Sequence, residues 1–254
     1  MERGRYRNHS PFEKGWAPTS STVLYLKRMI HTNRSIPVAQ IKLVLWDLDG
    51  TLVNSELDLA HAINAMLRQF HRQELPVETI GTYIGDGAPM LVRRALGDPN
   101  DEGFVKEALE YFLLYYREHK LDNTYVYDGI IPALHAIGIN GRKQAVLTNK
   151  PVRPSRDIVA GLGLSEFFAQ VYGGNSFDTK KPDPLGAKAL MHEFGCTPEE
   201  TVMVGDSQID SLTAHNAGMW SVGVTYGFAP EGFKHAPPDV LVDTPAELAQ
   251  VLGG

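Results

Sequence analysis

The sequence predicts an α/β fold, a parallel sheet covered by helices with a helical insertion after its first strand, on the strength of three observations. Ile41, Leu43, Val44, Leu45 and Trp46 form a short apolar run of the kind found in strands buried on both faces. From Tyr125 onward, short apolar strands alternate with helical periods, and alternating β and α units imply a parallel sheet. Residues 55–123, between these regions, have helical spacing and no strand signal. The expected architecture is therefore a Rossmann-like three-layer core over 39–54 and 124–254, with an inserted α-helical cap over 55–123.

Residues 1–38 stand apart. Arg3, Arg5, Arg7, Lys14, Lys27, Arg28 and Arg34 face only Glu2 and Glu13, and no apolar period organises them, so the stretch reads as a flexible extension. Its Arg- and Ser-containing, acid-poor start also suits an organelle transit peptide, while Met29 offers a later start. Thr22 to Leu26 is too short, and too soon interrupted by Lys27-Arg28, for a secretory signal.

The elements follow in order. Asp47 closes the first strand, and Gly50 allows a sharp turn behind it. Ser55 is placed to cap a helix whose apolar residues are Leu57, Leu59, Ala60, Ile63, Met66, Leu67 and Phe70. Pro76 opens a short helix, residues 81–87 form a glycine-rich turn, and helices run over 88–96 and about 102–120. Beyond Tyr125 the spacing predicts helices over 131–137, 154–162, 185–194 and 208–217, with a last one near Ala246. Strands are predicted at 144–147, 170–172, 201–204 and 221–224, and Gly163 and Gly218 close the helices before them.

Composition narrows the function. The 254 residues, 43% hydrophobic, suffice for one sizeable core with an inserted lobe or for two modest domains. A net charge of -6 supplies no overall cationic field for nucleic acid or a membrane surface. Cys196 is the single cysteine; it excludes an intramolecular disulfide framework or Cys-rich zinc site and suits a reducing, cytoplasmic compartment. It is expected to be a small buried apolar residue. No apolar run approaches the roughly 18 residues of a membrane span, and none of the nine histidines has metal-ligand spacing such as H-E-x-x-H.

Reacting groups should collect at strand ends, where an open α/β sheet places its ligands. Asp47 and Asp49 follow the first strand. Thr148 and Asn149, a hydroxyl and an amide suited to phosphate oxygens, follow the strand at 144–147. Lys181 precedes Pro182, which keeps it out of the α region and projects it from an extended segment. Asp206 ends the strand at 201–204, and Asp210 lies one helical turn on. A capped turn or a solvated basic loop explains the Thr148 or Lys181 segment alone more simply. Capping explains one of Asp206 and Asp210 but not both.

Taken together, DLDGTL, Thr148, Lys181 before Pro-Asp-Pro, and GDSQID occur in the order and rough spacing of four motifs. From Ile41 to the C-terminus the chain resembles the haloacid dehalogenase superfamily, most closely its phosphoglycolate phosphatase-like branch with a helical cap, through KKPDP, VGDSQID and SVGVTYGF. The resemblance implies that Asp47 is a nucleophile and Asp49 an acid/base. It also implies that Mg²⁺ is held by the Asp47 and Asp206 carboxylates and the Asp49 carbonyl. Crowded carboxylates facing an anionic phosphate require such cations. Lys181 and Thr148 would bind the phosphoryl group, and Asp210 would orient Lys181 or a metal-bound water.

Specificity is expected from the cap, with the loop Ile84-Gly85-Asp86-Gly87 and the pair Arg93-Arg94 as candidates; an Arg can hold a small carboxylate, and a solvated helix face explains the pair at least as well. Asn54 and Asp128 depart from the family pattern, which usually has Asp and Pro there; Asp128 is expected to loosen the hinge. The expected activity is hydrolysis of a small phosphorylated metabolite by a monomer or homodimer, with 2-phosphoglycolate the leading substrate. Sugar phosphates, nucleotides or pyrophosphate, a phosphomutase, and a catalytically silent binding protein are the alternatives.

Overall fold

A computed structural model of the chain describes residues 30–253. In chain order the elements are β1 (His31–Thr32), β2 (Leu43–Trp46), β3 (Val53–Asn54), α1 (Glu56–Gln69), α2 (Val77–Gly81), α3 (Ala88–Ala95), α4 (Glu102–His119) and β4 (Tyr125–Val126). They continue as α5 (Ile130–Gly138), β5 (Lys143–Leu147), α6 (Val152–Gly161), β6 (Gln170–Tyr172), α7 (Leu185–Phe194), β7 (Thr201–Gly205), α8 (Gln208–Ala217), β8 (Trp220–Val224), β9 (Val240–Val242) and α9 (Pro245–Leu252).

Seven strands form one sheet in the order β1-β9-β8-β7-β2-β5-β6. Every pairing is parallel except the edge pair of β1 with β9. The apolar run at 43–46 is continuous because both faces of β2 are covered. Val44 and Trp46 pack with Ile130, Leu134 and Ile158 on one side, and Leu43 and Leu45 with Leu190, Met191 and Met203 on the other. β2 lies between β5 and β7, with Trp46 opposite both Val146 and Val204. This register brings the residues just after the three strands to one edge, at the point where the strand order reverses and ligands bind.

Helices α1–α4 bury a separate core, including Ile63, Met66, Val92, Ala108 and Phe112. The two chain crossings between this lobe and the sheet pair with each other as a short antiparallel ribbon, Val53 opposite Val126 and Asn54 opposite Tyr125. Asp58 fastens the crossing from the first turn of α1, where its buried carboxylate accepts bonds from the backbone and side chains of Asn123 and Thr124 at 2.7–3.0 Å. The exposed Asp128 therefore stands beside a crossing held by hydrogen bonds.

Three local expectations change. Ser55 stands at the N-cap of α1 but makes no capping bond; its hydroxyl donates to Asp49 Oδ1 at 2.6 Å, and Asn54 Oδ1 accepts from the Glu56 N–H instead. Residues 1–29 of the expected extension lie outside the described residues, while 31–34 are tied to the sheet. β1 pairs with β9, and Asn33 and Arg34 donate backbone N–H groups to the Asp239 carbonyl. Cys196 is half-buried rather than buried. Neither β9 nor β1 was expected: three residues after Pro-Pro-Asp carry too little period to read, and two residues at a sheet edge carry none.

Candidate active site

Asp47, Asp206 and Asp210 form a buried acidic corner at the ends of β2 and β7. Each contributes one carboxylate oxygen to a group whose members all lie within 4.8 Å of one another. The backbone is shaped around them. Gly50 has φ +81°, and a Cβ there would lie 2.2 Å from Asp206 Oδ2; a Cβ on Gly205 would lie 2.1 Å from the Asp210 carboxyl carbon. Both motif glycines are required by the close approach of a carboxylate.

One cation enters the corner. Lys181 Nζ lies 2.6 Å from Asp210 Oδ1 and 2.9 Å from Asp47 Oδ1, carried on a segment whose Lys181-Pro182 peptide bond is cis. Asp210 is otherwise occupied, accepting from the Ser207 hydroxyl and N–H as the capping partner of α8. Asp206 Oδ2 accepts from the Phe228 N–H at 2.6 Å. Asp47 Oδ1 is buried and has no aligned hydrogen-bond donor despite its nearby ammonium.

The electrostatics follow. Burial raises the Asp206 carboxyl well above the usual range, and Asp210 and Asp47 push it further. Burial raises Asp47 to about 6 against the pull of Lys181. Burial lowers Lys181, but Asp210 and Asp47 more than offset it, leaving the group at about 12. Three carboxylates against one ammonium, with an oxygen that no donor satisfies, form a hard-oxygen set that fits a small divalent cation.

Asp49 faces a different environment. Its carboxylate accepts from Ser55 and from Lys150 Nζ, which lies 3.1 and 3.0 Å from its two oxygens. Lys150 also donates to the Tyr116 hydroxyl on α4 at 2.7 Å and stands over that ring, 4.6 Å from its centroid. Burial raises the Tyr116 phenol to about 12, with Lys150 opposing, so it remains a hydroxyl near neutrality. A cavity of about 40 Å³ opens between lobe and sheet, with Asp47, Asp49, Thr148 and Lys150 on one side and Leu59, Ile84, Leu91 and Phe112 on the other.

Residues 44–224 match the haloacid dehalogenase-like hydrolase family. The chain belongs to that family. It is 37% identical over 221 residues to a phosphoglycolate phosphatase of Haemophilus influenzae, covering 84% of this chain and 99% of the relative. Among solved structures, a predicted phosphoglycolate phosphatase from Haemophilus somnus superposes with TM-score 0.79 at 34% identity, covering 84% of this chain and 98% of that one. A putative phosphoglycolate phosphatase from Lactobacillus delbrueckii gives TM-score 0.77 at 27% identity, covering 83% and 98%.

In this haloacid dehalogenase-like hydrolase, Asp47, Asp49, Thr148, Lys181, Asp206 and Asp210 gather at one edge of the sheet, and Gly87 lines the cavity from the lobe. Asn149 is brought there in another capacity. Its amide donates to the carbonyls of Gly85 and Lys181, so both donor hydrogens tie lobe and loop together rather than facing a phosphate. Arg93 and Arg94 are not brought there. Arg93 is held by Glu102, Asp98 and the Pro99 carbonyl, and Arg94 by Asp86 and the Tyr83 carbonyl. Neither lines the cavity; each closes a loop of its own lobe.

Two contributors escaped the sequence. Lys150 stands in the Thr148-Asn149-Lys150 string, but nothing local reveals that its ammonium meets Asp49 and a tyrosine from another lobe. The Phe228 N–H lies in the SVGVTYGF stretch, where a backbone donor leaves no trace in residue type.

Proposed function

We propose that the protein is a Mg²⁺-dependent phosphatase that hydrolyses 2-phosphoglycolate to glycolate and phosphate. The observation that carries this reading is the acidic corner, three buried carboxylates with one lysine, opening onto a small cavity that also holds Asp49. The relatives' names supply the substrate. The cavity's size suits a small leaving group.

In the first step an Asp47 carboxylate oxygen attacks phosphorus, the bond from phosphorus to the ester oxygen breaks, and Asp49 gives its proton to the departing alkoxide. In the second, Asp49 removes a proton from water, the water oxygen bonds to phosphorus, and the Asp47–phosphate bond breaks to release phosphate. Lys181 holds phosphoryl oxygens by charge and Thr148 by its hydroxyl. Asp210 keeps Lys181 aimed, and the lobe excludes bulk water. Asp47 and Asp206, with the Asp49 carbonyl, would hold Mg²⁺, which supplies positive charge against the phosphoryl oxygens.

Phosphate release from a panel of phosphorylated metabolites, with Mg²⁺ and with EDTA, tests the reading. Metal-dependent preference for 2-phosphoglycolate is expected. Preference for sugar phosphates or nucleotides would replace the substrate and keep the mechanism, and turnover undiminished by EDTA would remove the metal.

A further inference from the structure

We propose that the Lys150 ammonium and the Tyr116 hydroxyl form a subsite for a carboxylate on the leaving group, and so set specificity where the helical lobe meets the sheet. The inference rests on the phosphatase reading and adds the residues that read the organic part of the substrate.

Lys150 is the sole lysine or arginine among the residues lining the cavity, and its side chain is 5% exposed. The facing wall from the lobe is apolar, with Leu59, Ile84, Leu91 and Phe112. A buried ammonium in such surroundings is retained where it is paired. Its partners are unusual in coming from both lobes: Asp49 from the sheet and Tyr116 from α4. The Tyr116 oxygen accepts from Lys150, while its own hydrogen has no acceptor among the described residues. The three hydrogens of the ammonium meet Tyr116 and the two Asp49 oxygens; a carboxylate that accepts the phenolic hydrogen therefore lies beside the Lys150 charge, 2.7 Å from the phenol oxygen, and can take its hydrogens when Asp49 is protonated.

Distance then limits the ligand. Lys150 Nζ is 3.0 Å from the Asp49 carboxylate, the group assigned to protonate the ester oxygen. An anion held by Lys150 must therefore sit close to that oxygen, as in a short phosphorylated hydroxy acid. Arg93 and Arg94 lie outside the cavity lining and leave this task to Lys150.

The test compares kcat/KM for 2-phosphoglycolate with that for ethyl phosphate, in which a methyl replaces the carboxylate, using wild type, Lys150→Met, Lys150→Arg and Tyr116→Phe with Mg²⁺. Other short phospho-acids, such as 2-phospholactate and 3-phosphoglycerate, complete the panel. Lys150→Met is expected to lower the ratio of the two kcat/KM values by about 30-fold or more, and Tyr116→Phe by about 5-fold, from the loss of charged and neutral hydrogen bonds respectively. Lys150→Arg should restore part of the ratio.

Equal losses on both substrates, with the ratio unchanged, would overturn the subsite and leave Lys150 acting through Asp49 alone. If wild type prefers a different short phospho-acid and Lys150→Met abolishes that preference, the 2-phosphoglycolate reading falls and the subsite stands. A preference for 2-phosphoglycolate that survives in Lys150→Met does the reverse. Should Lys150→Met fail to fold by circular dichroism, Tyr116→Phe decides, and undiminished discrimination in that variant overturns the subsite.

Discussion

Asp58 and Asp206 are both buried aspartates, 1% and 4% exposed, yet their surroundings treat the charge in opposite ways. At the crossing between lobe and sheet, burial would raise Asp58, but the Thr124 and Asn123 bonds outweigh it and lower the carboxyl overall. At the strand ends, Asp206 has one backbone donor and two neighbouring carboxylates, and burial raises it. The difference is one of compensation rather than depth. Asp58, which fastens the crossing, is supplied with several donors by the chain itself; Asp206, at the candidate site, has a single one and keeps a charge that a cation could satisfy.

The largest test of this contrast is Asp47→Asn. Replacing the carboxylate proposed to attack phosphorus by an amide should lower turnover by more than about 1000-fold, while circular dichroism and the urea midpoint stay at or above wild type because a buried charge has gone. Unfolding in that variant would place the acidic corner with Asp58 as structure. Next is Asp58→Ala, which strands the donors of Asn123 and Thr124 and should lower the unfolding free energy by about 3 kcal/mol in urea titration. A change within error would break the comparison from the other side.

The two regions should also respond oppositely to pH. Asp47 and Asp206 have raised carboxyls in the folded state, so their contribution to stability is fully present below the unfolded value of 3.8 and is lost as pH rises, through about 6 for Asp47. The Asp58 contribution is present above 3.8 and is lost as pH falls through its lowered folded value. Thermal unfolding in EDTA should therefore show a penalty at the corner that grows between about pH 4 and pH 6, of order 1–2 kcal/mol. Mg²⁺ should remove it by binding the folded state alone, and a Mg²⁺ effect independent of pH would contradict this account. The smallest expected effect belongs to Arg93→Ala and Arg94→Ala. With both side chains engaged away from the cavity, kcat/KM should change by less than about 2-fold; a larger loss in the phosphate-release assay would return them to the site.

Much of the site was legible because each strand-end segment carries its own local necessity. An apolar run that is buried on both faces must stop at a polar group. Asp47-x-Asp49-Gly50 and Gly205-Asp206 place carboxylates beside the glycines that make room for them. Asp210 could be read as capping material, and it does cap α8. Composition and periodicity likewise sufficed for the alternating core and the helical insertion, since both depend on the spacing of neighbours along the chain.

What the sequence left undecided is every pairing across the chain. Arg93 and Arg94 looked available for a ligand because nothing local says that Glu102 and Asp86 will claim them. Ser55 looked like a helix cap until the fold brought it to Asp49. Lys150 could be assigned no role before the fold brought the segment after β5 to Asp49 and to Tyr116 of α4, since its partners lie 101 and 34 residues away. Residue type and spacing therefore determined which groups stand at the strand ends, because those follow from local burial and turn chemistry. Tertiary structure alone decided which charges remain free, because a charge is committed by whichever partner folding brings within about 3 Å, and sequence distance does not measure that.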